Sequence, residues 1–170
     1  MKTNLVITVM ADDKPGLVES LSQTISSNSG NWLESSMSQL AGKFAGILRV
    51  SVENDKADKL VEDLKGLSSK LKLVIEKASD QDSKEPFQLV ELNLVGNDRP
   101  GIIKEVSAAL SAMGINVEHL NTECTPAPMS AASLFRARAT LEIPTGLQLE
   151  KLQEELERLA DDLIVEIELQ

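Results

Sequence analysis

The chain has 170 residues and a formal net charge of −10. Hydrophobic side chains make up 42%, yet there are only three Phe, one Trp and no Tyr. That is ample apolar material for a packed core, so disorder is excluded for most of the chain. The scarcity of aromatics argues against a base-stacking surface, and the negative field repels a phosphate backbone, so no direct contact with nucleic acid is expected.

In chain order, Leu5–Ala11 alternates as a strand and stops at Asp12-Asp13-Lys14, too short and too abruptly for a secretory leader. Asp13-Lys14-Pro15-Gly16 then opens a helix with Leu17, Val18, Leu21 and Ile25 at helical spacing. Ser29-Gly30 ends it, and two strands follow over Trp32–Leu40 and Phe44–Glu53, with Gly42 in the hairpin. A second helix carries Leu60, Val61, Leu64 and Leu67, and a last strand carries Leu71, Leu73 and Ile75. After the polar segment Ala78–Glu85 the same order returns. A strand over Leu89–Gly96 leads into Asn97-Asp98-Arg99-Pro100-Gly101 and a helix with Ile102, Ile103, Val106 and Leu110. Strands over Ile115–Cys124 and Ser133–Ile143 come next, then a helix with Leu152, Leu156 and Leu159 and a strand over Leu163–Leu169.

The copies are in register. Asp13, Pro15 and Gly16 map onto Asp98, Pro100 and Gly101 at an offset of 85, Gly30 maps onto Gly114 at 84, and Leu60, Leu64, Leu67, Leu71 and Ile75 map onto Leu152, Leu156, Leu159, Leu163 and Ile167 at 92. The change in offset requires about eight extra residues in the second copy, placed in Thr125–Ala132. The order is βαββαβ twice, which predicts an α+β protein of two tandem ferredoxin-like domains, each an antiparallel sheet with both helices on one face. The expected division is 1–79, a linker at 80–86, and 87–170. The strands carry apolar residues on both faces, so the helix-free face or the edges should be covered by the other repeat or a second chain.

Little in the sequence carries catalysis. The single His119 and the single Cys124 lie five apart on one predicted strand, hence on opposite faces, and make poor partners for each other as nucleophile and base or as metal ligands. Cys124 is expected as a small buried hydrophobe. No catalytic residue, metal site or cofactor is expected, and no apolar run is long enough for a membrane helix. The informative element is the loop after the first strand of each repeat. Gly16 and Gly101 admit a small molecule to bare backbone. The helix starting there offers free N–H groups suited to an amino-acid carboxylate. Asp13 and Asp98 either cap the helix or accept from an ammonium group.

Asp-Lys-Pro-Gly-Leu-Val and Asp-Arg-Pro-Gly-Ile-Ile, each after an apolar strand and followed by a glycine and a further strand, resemble the signature of ACT domains, as does Gly114-Ile115-Asn116-Val117. The segment from Leu33 to Ile47, and the long Pro-containing hairpin of the second repeat, resemble the glycine cleavage system transcriptional repressor family, which is built of two ACT domains alone. The resemblance covers nearly the whole chain. It implies an amino-acid effector, glycine or a related small amino acid, bound by Asp13, Lys14, Pro15, Gly16 and Leu17, and by Asn97, Asp98, Arg99, Pro100, Gly101, Ile102 and Asn116. Trp32 is the counterpart of Asn116 in the first repeat and would deprive that repeat of an amide. The resemblance further implies a regulator that acts by contact with a DNA-binding protein; a non-catalytic, dimeric chain in the cytoplasm, which a lone cysteine fits, is expected alongside. Two other readings compete. One is an interaction module without a ligand. The other is a small enzyme resembling acylphosphatases, with Arg99 in the anion-binding role.

Overall fold

The computed structural model describes residues 1–78, 86–128 and 132–169; the expected linker, apart from Pro86, and the middle of the Thr125–Ala132 insertion lie outside these. The chain divides into two compact units, Met1–Gln81 and Asp82–Gln170.

The first unit runs β1 (Lys2–Asp12), α1 (Leu17–Ser27), β2 (Asn31–Leu40), β3 (Lys43–Glu53), α2 (Asn54–Lys65), a single 3-10 turn at Gly66–Ser69, and β4 (Lys72–Lys77). Its sheet has the order β2-β3-β1-β4, antiparallel throughout. Alternation on the central strand does the sorting. Leu5, Ile7 and Val9 are fully buried beneath Leu21 and Ile25 of α1 and Ala57, Leu60 and Leu64 of α2, so both helices cover one face. The other face, carrying Met10, Ile47 and Val74, is bare within the unit, and these three are 46–58% exposed.

The second unit repeats the plan with β5 (Phe87–Asn97), α3 (Ile102–Ala112), β6 (Asn116–Pro126), β7 (Ser133–Pro144), α4 (Leu149–Glu157) and β8 (Ile164–Leu169), in the order β6-β7-β5-β8. Val90, Leu92 and Leu94 face Val106, Leu110, Leu152 and Leu156. Each unit carries one bulge at the same place in its edge strand. It lies between Trp32 and Glu34 on β2 and between Val117 and His119 on β6.

The extra residues of the second copy are distributed differently from the expectation. Leu40 and Lys43 flank a two-residue turn, whereas eight residues lie between their counterparts Thr125 and Leu134, so the hairpin accounts for six. One more enters between β7 and α4, where Leu60 corresponds to Leu152 in burial and sequence spacing. The hairpin is drawn shut by Ala127 N–H donating to the Ala132 carbonyl at 2.9 Å.

Gly46 marks the tightest point of the first sheet. A Cβ there would sit 2.2 Å from the Ser36 carbonyl oxygen and 2.6 Å from Met37 Cα, so backbone must move. Gly46→Ala should destabilise the first unit by about 3 kcal/mol, at the upper end for overpacking. Gly66→Ala, at a right-handed position with open space around it, should be neutral or mildly stabilising. Urea denaturation of the two variants checks the contrast.

Candidate functional site

The Asp-x-Pro-Gly loops have the same backbone in both units. Gly16 and Gly101 are the N-cap residues of α1 and α3, in the left-handed region at φ 90° and 88°. That conformation is why glycine stands there. Gly16 and Gly101 carbonyls accept the first helical bonds, from Ser20 N–H at 3.0 Å and Glu105 N–H at 3.1 Å. The N–H groups of the preceding helical residues therefore have no carbonyl within their own helix, and they sit at its positive end. Neither helix has a side-chain hydrogen bond at its N-cap, so Asp13 and Asp98 do not cap. With glycine occupying the cap position, the aspartates lie three residues upstream and their backbone N–H groups extend the strands instead, to Gly42 and Ser133 carbonyls at 3.0 and 2.8 Å.

In the first unit the loop borders a cleft of about 230 Å³ lined by Asp13, Lys14, Gly16, Leu17, Val18, Glu19 and Phe44. Asp13 and Lys14 are exposed, and among the described residues neither side chain is committed to a hydrogen bond or ion pair. Pro15, outside the lining, sets the turn. The neighbouring ion pair of Lys43 with Asp12 anchors the base of the loop, and it holds the Asp12 carboxyl below the usual carboxylate range.

In the second unit the loop's cation is spent internally. Arg99 forms a two-pronged ion pair with Glu105 in the first turn of α3, one prong 3.0 Å long, and also reaches the Leu159 carbonyl at 3.4 Å. Glu105, hydrogen-bonded to Arg99, is pushed below the usual carboxylate range. Asn97 N–H donates to the Asp162 carboxylate at 2.7 Å, Asp98 lies beside the Cys124 thiol, and Ile102 is buried, while Pro100 is exposed in the turn. Cys124 is exposed rather than buried, because β6 is an edge strand whose side chains are almost all in solvent. Partial desolvation, then the Asp98 carboxylate, push its thiol above the ordinary value. His119 pairs with Thr140 and Cys124 with Phe135, so the two do occupy opposite faces.

Asn116 is not near the loop of its own unit. It donates to Glu142 at 2.8 Å, in line with Leu89 on β5, whereas the loop begins beyond Asn97. Eight residues of strand separate them, roughly 27 Å, so one amino-acid-sized ligand cannot touch both within the unit. Its counterpart is also different from the expectation. The residue with positive φ after α1 is Ser29 (57°), equivalent to Gly114 (69°) after α3. Gly30 N–H and Ile115 N–H make the same bond, to the Ile25 and Leu110 carbonyls. The offset therefore stays at 85 through this turn. Asn31 opposes Ser51 as Asn116 opposes Glu142, and Trp32 matches Val117. The first unit keeps its asparagine, and Trp32 packs against the core. Matching glycine to glycine shifted the alignment by one, because Ser29 adopts the left-handed conformation that a glycine usually marks.

Two models described as the ACT domain match residues 3–77 and 85–165. The glycine cleavage system transcriptional repressors of Escherichia coli (strain K12) and Shigella flexneri are each 24% identical over 162 residues, 94% of this chain and 85% of theirs. Among solved structures, an unknown protein from Galdieria sulphuraria superposes with a TM-score of 0.88 at 27% identity, covering 100% of this chain and 99% of that one. A crystal structure provisionally assigned as a glycine cleavage system transcriptional repressor gives 0.70 at 16% identity, with the same coverage.

Two predictions test this geometry. Ser29→Gly should stabilise the first unit by about 1 kcal/mol and Gly114→Ala should cost the second a similar amount, read as shifts in the denaturation midpoint. Glu105→Gln should destabilise the second unit at neutral pH. Because the folded carboxyl titrates below its unfolded value, its contribution is full above the ordinary carboxylate range. The gap from wild type should therefore close as pH falls through the lowered folded value, measured by thermal melts across an acid series.

Proposed function

The chain belongs to the ACT-domain family as two domains in tandem, and on that premise we propose that it is a non-catalytic regulator whose first domain senses a small amino acid. The observation that carries this reading is the cleft at the Gly16 loop. At about 230 Å³ it is smaller than the clefts that take drug-sized molecules, and its chemistry matches a zwitterion. Lys14 and the free N–H groups of Leu17 to Glu19 receive a carboxylate, and Asp13 and Glu19 receive an ammonium group. Phe44 and Val18 leave room for little beyond a small side chain. Glycine is the first candidate, in keeping with the relatives named for glycine cleavage.

The second loop is the poorer receptor. Arg99 already holds a carboxylate of its own chain, which occupies the guanidinium fork an effector or an acyl phosphate would need. The same pair weighs against the acylphosphatase-like reading. Regulation by protein contact suits a chain of net charge −10, and among the described residues no helix is long and apolar enough to cross a membrane. The partner in this reading is a DNA-binding activator, and the regulator acts in the cytoplasm as a dimer. An effector shifts that contact only by its differential affinity for two states of the regulator; a tenfold change in partner affinity requires about 1.4 kcal/mol. The exposed Met10, Ile47 and Val74 favour an interaction module as the second reading, in which the first unit holds a partner without any effector.

Calorimetric titration of the full chain with glycine, then with other amino acids singly, distinguishes the two. Saturable binding should weaken at least about tenfold in Asp13→Asn, which removes a charge-assisted contact, and in Gly16→Val, which strains the left-handed turn, but not in Asp98→Asn. Absence of binding by every amino acid would leave the interaction module.

A further inference from the structure

The helix-free face of the second unit differs in character from that of the first. It forms a concavity of about 590 Å³ whose floor is β7. Arg136 and Arg138 project into it from alternate positions, with Ala137 between them turned to the core. In the ladder Arg138 lies between Asn121 on β6 and Asn93 on β5, and Arg136 lies opposite Glu123. Glu166 stands beyond Asn93 on β8. Arg138 Nε donates to the Asn93 side-chain oxygen at 3.3 Å, which leaves its two terminal nitrogens uncommitted. Among the described residues, no carboxylate lies within ion-pairing distance of either guanidinium.

This arrangement carries an electrostatic cost, eased at Arg136 by Glu123 opposite it. Two like charges one pleat apart on the same face repel, in a half of the chain with 14 acidic residues and only 6 basic ones. Internal duplication does not account for it. The corresponding positions of the first unit are Ala45 and Ile47, with Thr8, Ser36 and Val74 where the second has Asn93, Asn121 and Glu166. The basic pair belongs to the second unit alone.

We propose that this concavity is a second ligand site, distinct from the Gly16 cleft, and that it takes a small dicarboxylate. The two guanidinium forks rise from Cα positions about 7 Å apart along one strand, which suits one carboxylate on each fork of a short dicarboxylic acid. The amides of Asn93 and Asn121 add neutral donors at the same level. Glu123 and Glu166 bound the site on the β6 and β8 sides, so a long polyanion is repelled and a compact ligand held over β7 is not.

The test is calorimetric titration of the full chain with sodium succinate at low ionic strength. One saturable site is expected. Arg136→Gln and Arg138→Gln should each weaken it about tenfold or more, the loss of a charged hydrogen-bonding partner. Glu166→Gln should tighten it two- to five-fold by removing a repulsion, on the order of the ~0.3–1 kcal/mol of a screened surface charge. Gly16→Val should leave it unchanged. No saturable binding, or binding indifferent to both arginine variants, overturns the site. Inorganic phosphate binding as tightly as succinate overturns the dicarboxylate assignment. If the arginine variants lose their fold by circular dichroism, Glu166→Gln decides, and failure to tighten counts against the proposal.

Discussion

Each unit depends on one constraint: two helices must be packed onto a single face of a four-stranded sheet. The central strands β1 and β5, paired on both sides, satisfy it with Leu5, Ile7 and Val9, and with Val90, Leu92 and Leu94, none more than 1% exposed. Everything on that face answers to packing density and tolerates little change. The opposite face carries no core of its own inside the unit, only surface contacts such as Arg138 to Asn93. It differs between the copies, with Thr8, Ile47 and Val74 of one unit where the other has Asn93, Arg138 and Glu166. What the two copies share and what sets them apart are thus divided between the two sides of the same strand.

The same division runs through the loops. A left-handed glycine directs the chain from strand into helix in both units, and the unused N–H groups follow from helix geometry whatever the side chains are. What differs is the neighbouring cation. Lys14 stands uncommitted at a cleft, whereas Arg99 closes onto Glu105. The same loop conformation therefore presents an uncommitted cation in one copy and a paired one in the other.

The strands and helices were legible because each is amphipathic at its own period, and because the leucines of α2 and α4 recur in step. The turns were legible as positions of glycine, with one instructive failure. Ser29 adopts positive φ without being glycine, and a match by residue type slid the register by one, moving Trp32 onto the place of Asn116. A one-residue slip in a strand inverts every face, so the error reached the candidate site. Three features lay beyond the sequence for a common reason. The Arg99 ion pair, the exposure of Cys124 and the basic pair over β7 all depend on which residues face each other across strands or turns. Alternation says which side a residue is on, but not what stands beside it.

The paired bulges in β2 and β6 bear on how such a protein stays dispersed. Both strands are edges of their own sheets, ten and eleven residues long, with backbone groups that could template another chain. A flat edge of that length is an invitation to runaway strand addition. The extra residue after Trp32 and after Val117 breaks the spacing of donors and acceptors near the start of each edge and coils the strand away from a straight partner. An incoming strand then finds only a shortened stretch in phase, and the same irregularity, kept in both copies, limits open-ended assembly through backbone geometry, whether the extra residue is Leu33 or Glu118.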